Sequence, residues 1–443
     1  MTIAPRFVQQ GRQFGSGLYT VAMRQTYNKN WISQDVLDRF LRYVQIDTTS
    51  DQHIEEIPST DGQWDLLRLL KTELEELQVS DLSLDEHGYL IARIPARGGV
   101  DVQRAASIGL MAHVDTSGDM SGNGVKPQLH SDYDGKDIKI GNGYTLTVDE
   151  NIALNDYIGD TIITSDGTTL LGADDKAGVA LIMTALKWLT DHPEIEHGPF
   201  EIIFTPDEET GKGMDKFPLD SLKSKCCYTF DGGERGIIES ECFNAYIAKI
   251  TFQGKVVHLG DARGKLVNAL TMAGKYVSML PQNESPEATD GRFGYYAPFE
   301  LHGELDKADL TVYLRDFEVD GMQHRIDMLH DLAKTVEGLY PGGSVEVHAK
   351  KMYTNMREHI AEKPHIMNLL EEAIRQAGVE PQRTIIRGGT DGARLSEMGV
   401  PTPNVFTGGY NFHSRYEWAS LSTMVEAAET AINLIRLWAV RTD

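Results

Sequence analysis

The sequence predicts an α/β fold. A mostly parallel sheet is flanked by helices, and a smaller α+β domain of ferredoxin-like type is inserted into it. Three observations carry this expectation. Apolar runs such as 108–112 and 200–204 are continuous rather than alternating, as in strands buried on both faces. Strand-like segments and helices alternate as far as Asp231, the rhythm of a parallel sheet. Between Ala245 and Lys350 the order becomes β-α-β-β-α-β, the split βαβ pattern.

The elements follow in order. Residues 1–32 read as an N-terminal extension. No acidic residue occurs up to Gln34, while Arg6, Arg12, Arg24 and Lys29 give a weak transit-peptide character. A continuous apolar core is missing, so a poorly ordered extension is the favoured reading. Residues 33–241 form the first segment of the main domain. Val36, Leu37, Phe40, Leu41 and Val44 have helical spacing, with Ser33 as the cap. A second amphipathic helix covers 64–77. The stretch 118–160 is polar and rich in Gly and Asp, and it reads as a hairpin-bearing excursion off the sheet. Residues 242–354 are the inserted domain, with strands at 245–252, 296–301, 310–317 and 344–350 and helices at 266–280 and 322–339. Residues 355–443 return to the main domain with a helix at 365–377.

The 443 residues suffice for two or three domains. With 41% hydrophobic and 24% charged residues, the composition is that of a soluble globular chain. A net charge of −24 disfavours nucleic acid and anionic membranes as partners. No apolar run is long enough to span a bilayer. The 3 cysteines, Cys226, Cys227 and Cys242, form neither a disulfide framework nor a metal-site spacing, so a reducing cytoplasm is the expected compartment.

Five apolar segments each deliver a histidine or a carboxylate at the same end. The run 108–112 leads into His113-Val114-Asp115. Leu170-Leu171-Gly172-Ala173 leads into Asp174-Asp175. The run 200–204 leads into Asp207-Glu208-Glu209, 227–230 into Asp231, and 403–406 into the loop that ends at His413. Open α/β sheets place their sites at the carboxyl ends of strands. One such junction is an ordinary solvated loop, but five on one side are a constellation. Two histidines with several carboxylates suit zinc, cobalt or manganese. Two ions about 3.5–4 Å apart need a bridging carboxylate. The pairs Asp174-Asp175 and Glu208-Glu209 can each supply one inward group, and spacing does not say which. Asp115 shares a strand face with His113 and can orient its ring. The stretch from Gly260 to Leu266 resembles a phosphate loop only superficially and reads as a helix entry.

The motifs His113-Val-Asp-Thr-Ser, Leu171-Gly-Ala-Asp-Asp-Lys-Ala-Gly178, Thr205-Pro-Asp-Glu-Glu-Thr-Gly-Lys-Gly213, Asp231-Gly-Gly233, Arg387-Gly-Gly-Thr-Asp-Gly392 and Phe406-Thr-Gly-Gly-Tyr-Asn-Phe-His413 closely resemble the peptidase T family. These are tripeptide aminopeptidases of the di-zinc exopeptidase superfamily, which also holds glutamate carboxypeptidase and carnosinase-like dipeptidases. The resemblance runs from Ser33 to the C-terminus. It implies a zinc-exopeptidase-like fold with the inserted domain as a lid. It implies two zinc ions per chain, with cobalt or manganese as substitutes. His113 and Asp231 would bind one ion, Glu209 and His413 the other, and Asp174 both. Asp115 would orient His113, and Glu208 would be the general base. His258 and Arg315 match substrate-facing residues of the lid, and Arg387 is a further candidate for the peptide carboxylate. Leu259 departs from the family, which has Pro after this histidine. The implied reaction releases the N-terminal residue of tripeptides through a di-zinc-activated water. The alternative is another di-zinc amide hydrolase: a dipeptidase, a carboxypeptidase or an N-acyl-amino-acid deacylase. A non-enzymatic binding module would have lost ligands or the base, and all are present. Small peptides are the expected partners, with no nucleic acid and no membrane, and a homodimer is the assembly considered.

Overall fold

The computed structural model of the chain describes residues 28–440. Of the expected extension, residues 1–27 lie outside the described residues. Its last residues belong to the first helix, Lys29–Tyr43, so the expected start at Ser33 is corrected. Asn28 caps this helix, its Oδ1 accepting from Trp31 N at 3.3 Å. Ser33 lies one turn in, because Ile32 already belongs to the buried stripe with Val36, Phe40 and Tyr43.

An eight-stranded sheet forms the body of the protein. Strand Ile108–His113 is buried along its whole length, which is why its sequence shows no alternation. It pairs in parallel with Phe200–Thr205 on one side and Cys226–Gly232 on the other. Asn404–Phe406 continues the parallel set beside Cys226–Gly232. Antiparallel pairings frame this core. Leu90–Ile94 lies against Phe200–Thr205, and Ile237–Cys242 lies against Asn404–Phe406. The four central strands therefore end on one edge, where His113 and Asp231 lie at the ends of their strands and Glu208 and His413 follow theirs. Helices Ala173–Asp191 and Leu421–Trp438 pack against each other, and both pack against Lys29–Tyr43.

The segment Leu170–Ala173 is not a strand, contrary to expectation; it is the loop that enters helix Ala173–Asp191. Gly172 turns the chain with φ 83°. The N–H groups of Leu171 and Gly172 donate to the Glu417 carboxylate at 2.7 and 2.8 Å instead of to a neighbouring strand.

The excursion 118–160 carries the expected hairpin, Ile138–Gly141 with Tyr144–Leu146. Its other strand, Gln128–His130, joins Ile162–Thr164, Trp418–Ser420 and Gly409–Tyr410 in a small sheet. Tyr410 stacks on Trp418 at 4.0 Å. This sheet ties the loop bearing His413 to the excursion.

Between these parts, strands Tyr295–Gly303, Lys307–Asp316, Asn244–Gln253 and Ser344–Tyr353 form a second, wholly antiparallel sheet in that order. Helices Ala269–Met279 and Val319–Leu339 cover it. Its own core includes Ile250, Phe252, Met272, Leu310, Val312 and Leu329. The first of these helices begins three residues later than the spacing suggests, because Asn268 caps it by accepting from Thr271 N at 3.3 Å.

Candidate metal centre

His113 is the last residue of the central strand and is 2% exposed. Its Nδ1 lies 3.1 Å from the Asp115 carbonyl oxygen and 3.3 Å from Asp115 Oδ1. A proton held on Nδ1 by Asp115 leaves the Nε2 lone pair for a ligand. That Nε2 faces Asp174 Oδ1 at 2.9 Å and Asp231 Oδ1 at 3.5 Å. On the other side of Asp174, Oδ2 lies 3.2 Å from His413 Nε2, which also faces Glu209 Oε1 at 3.0 Å. Among the described residues two groups with metal-ligating geometry result, His113-Asp174-Asp231 and Asp174-Glu209-His413, and they share Asp174.

The donor set fits divalent cations. Three largely enclosed carboxylates converge on two imidazoles, and like charges gathered in a low-dielectric site repel one another. Burial, then Asp174, pushes the Glu209 carboxyl up to about 8. Glu209 Oε1 is buried and makes no hydrogen bond, although His413 Nε2 is close by. The two atoms, with Asp174, lie close enough together to serve as ligands of one ion. His413 adopts φ 60°, a left-handed conformation that is uncommon for non-glycine residues.

Within each acidic pair the structure separates the partners. Asp174 belongs to both groups, and Asp175 belongs to neither. Asp175 Oδ2 accepts from His113 N at 3.2 Å and its Oδ1 from Gly178 N at 3.2 Å, so it braces the backbone. Glu209 joins the second group, and Glu208 joins none. Glu208 lines a cavity of about 300 Å³ together with Arg315, Tyr353, Thr390 and Asp391. Burial, then Asp231, holds its carboxyl well above the usual range. The Asp115 carboxylate accepts from Glu208 N at 3.0 Å and Glu209 N at 3.2 Å, so one side chain sets both the His113 ring and the glutamate turn.

The substrate-facing candidates divide. Arg315 lies at the cavity, with Nη1 donating to Leu314 O at 3.0 Å and its guanidinium over the rings of Tyr313 and Tyr353. Arg387 is placed otherwise than expected. Its guanidinium donates to Gly291 O at 2.7 Å, Phe293 O at 2.9 Å and Thr289 O at 3.1 Å. Those acceptors use the donors that a peptide carboxylate would need, so Arg387 joins the two sheets' segments rather than the cavity. His258 lies outside both cavities beside the two groups. It is exposed, and its Nδ1 accepts from Gly260 N at 3.2 Å.

Several supporting residues were not singled out from the sequence. Asp207, at φ 52°, accepts from Ser59 N at 2.7 Å and Gln63 Nε2 at 2.8 Å, which pins the glutamate turn to the start of the second helix, Asp61–Glu76, which begins three residues before the expected 64. Asp391 accepts from Thr205 Oγ1 at 2.7 Å, and Gly213 packs so closely that an added Cβ would stand 2.3 Å from Asp391 Oδ1. Both aspartates sit inside motifs already legible as site loops. Glu417 does not. Besides Leu171 and Gly172 it accepts from Asp174 N at 3.1 Å, so one carboxylate holds the backbone that carries the shared aspartate. Glu417→Gln offers one acceptor oxygen to three donors. Its expected effect is a metal affinity about 10–100-fold weaker, read as metal content after dialysis against graded chelator. Unchanged retention would show that the loop holds its shape without the carboxylate.

Comparison with known proteins adds three findings. The model of peptidase family M20/M25/M40 matches residues 166–437. Peptidase T of Clostridium perfringens is 46% identical over 404 residues, 91% of this chain and 99% of its own length. Among solved structures, aminopeptidase PepT from Bacillus cereus superposes with TM-score 0.71 at 23% identity, covering 92% of this chain and 99% of its own. A tripeptidase from Staphylococcus aureus superposes with TM-score 0.74 at 21% identity over the same shares.

Proposed function

This chain belongs to peptidase family M20/M25/M40 and, within it, to the peptidase T family, and on that premise we propose that it works with two zinc ions held between His113, Asp174, Glu209, Asp231 and His413. It is a metal-dependent aminopeptidase that removes the N-terminal residue of tripeptides. The observation that carries the two-ion reading is the Asp174 carboxylate, whose Oδ1 faces His113 at 2.9 Å while its Oδ2 faces His413 at 3.2 Å. Bound there, the ions would polarise the scissile carbonyl and bring a water's pKa toward neutrality.

The chain's own residues do the rest. Glu208 stands beside both groups without joining either, so its carboxylate is available to take the water's proton and return it to the leaving amine. Asp115 fixes Glu208 through its backbone N–H and His113 through its ring. Arg315 binds the C-terminal carboxylate. Among the described residues only its Nη1 is hydrogen-bonded, which leaves Nε and Nη2 for a bidentate clamp. An amine anchored near the carboxylates and a carboxylate anchored at Arg315 fix the substrate's length.

Tripeptides, dipeptides, tripeptide amides and N-acyl amino acids test this reading in one panel. Chelation abolishes hydrolysis of the tripeptide, and added zinc, cobalt or manganese restores it. Active protein without a transition metal would overturn the reading. Arg315→Ala lowers kcat/KM on tripeptides about ten- to a hundred-fold, the worth of about 1.5–3 kcal/mol for a charge-assisted contact. Tripeptide amides, which lack the carboxylate, lose much less; an equal loss on both substrates removes Arg315 from carboxylate binding. A cytoplasmic setting belongs to the same proposal. The three cysteines form no disulfide, and no helix among the described residues is long and apolar enough to cross a membrane.

A further inference from the structure

The large sheet has a second cleft, at the end opposite the carboxylate cluster. It opens where the central parallel strands begin. Ser107 precedes Ile108–His113, Phe200 starts Phe200–Thr205, and Lys225 precedes Cys226–Gly232; all three line it. The His113 end of the central strand is six residues away, which at about 3.3 Å per residue is roughly 20 Å. No group in this cleft can reach a peptide held at His113. The cavity measures about 940 Å³, within the range of small-molecule sites, roughly 300–1,000 Å³.

Its lining divides by chemistry. Pro95, Ala105, Phe200 and Ile366 give an apolar floor, and Arg104, Lys223, Lys225 and Lys363 stand around it. Two acidic side chains, Asp81 and Glu201, also line the cleft, but Arg93 occupies both. Its Nη1 donates to Asp81 Oδ1 at 3.1 Å and its Nε to Glu201 Oε1 at 3.0 Å. The other oxygen of Glu201 accepts from Lys223 N at 2.9 Å and Ser224 N at 2.7 Å. The remaining four cations have no ion-pair partner among the described residues. Four uncompensated positive charges therefore gather on one cleft of a chain whose net charge is −24. Two of the lysine backbones are held at the cleft, Lys225 by donating to Ser107 O at 2.9 Å and Lys223 by donating to Glu201 at 2.9 Å.

We infer that this cleft binds a small organic anion that carries at least two negative groups on an apolar or aromatic body. The body displaces water from the floor, and the anionic groups meet the unpaired lysines and Arg104. An inorganic anion has no use for the floor, and an uncharged apolar molecule has none for the cations. The inference is independent of the reaction at His113.

The dianionic dye bis-ANS, whose aromatic body brightens when shielded from water, is the probe. Titration of the full chain is expected to show one saturable site per chain. The triple variant Lys223→Glu, Lys225→Glu, Lys363→Glu is expected to bind about tenfold more weakly or worse, because each reversal replaces an attraction by a repulsion. Added salt should weaken wild-type binding in the same direction. Uncharged N-phenyl-naphthylamine should not distinguish the two proteins. Tripeptide hydrolysis should be unchanged in the variant, which shows that it is folded and that the cleft is separate from the peptidase site. If the triple variant does not fold, Lys225→Gln alone carries the test, with an expected loss of about two- to five-fold. Absence of a saturable site, equal dye affinity after charge removal, or displacement of the dye by tripeptide overturns the inference.

Discussion

Glu208→Gln is expected to lower tripeptide turnover by about 10²–10⁴-fold while both ions stay bound, the range a general base contributes. The substitution changes little besides the proton chemistry. Glutamine keeps the shape of the side chain and the backbone N–H that donates to Asp115 at 3.0 Å. It does not disturb either ligand group, because Glu208 belongs to neither. What disappears is the carboxylate proposed to accept the water's proton and later deliver it to the leaving amine. Turnover and metal content per chain, measured on the same preparation, decide the matter. Glu209→Gln is the counterpart: it removes a ligand from the group with Asp174 and His413, so it should lower metal content first and activity as a consequence. If Glu208→Gln instead loses one ion and Glu209→Gln loses none, the roles of the two glutamates are exchanged.

The sequence carried the strand ends well because the physics there is local. A strand buried on both faces must be apolar throughout, so the run before His113 and the run before Pro206 announce themselves. The inserted sheet was legible in the same way from the order of its strands and helices. Choices made by distant partners were not. The apolar stretch Leu170–Ala173 reads equally as a strand; its fate is decided by Glu417, 246 residues from Leu171, which takes the N–H groups a strand would pair. Asn28 and Ser33 are both good helix caps, and the buried position of Ile32 selects the first. Asp174 and Asp175 are adjacent and chemically identical. Only the folded chain shows that the second is used up by the N–H groups of His113 and Gly178. Arg387 carries the charge expected of a carboxylate anchor, yet the loop holding Thr289, Gly291 and Phe293 claims it.

Asp174→Ala is expected to release both ions together and to abolish hydrolysis. Removing this side chain subtracts one ligand from each group. His113 and Asp231 remain on one side, Glu209 and His413 on the other. Two protein ligands fall short of the three that catalytic zinc sites ordinarily use. The loss is therefore expected to be cooperative, since a single carboxylate faces both groups. Asp175→Asn provides the contrast. It keeps an acceptor for the backbone and lies outside both groups, so it should retain both ions. Metal content per chain, followed as chelator is raised, separates the cases. The wild type is expected to hold two ions; in Asp174→Ala both sites should empty over one range of chelator concentration, at least tenfold below that needed for Asp175→Asn, the scale of about 1.4 kcal/mol or more per site. Departure of one ion with the other still firmly held would mean that Asp174 serves a single metal, and the shared-carboxylate reading would be lost with it.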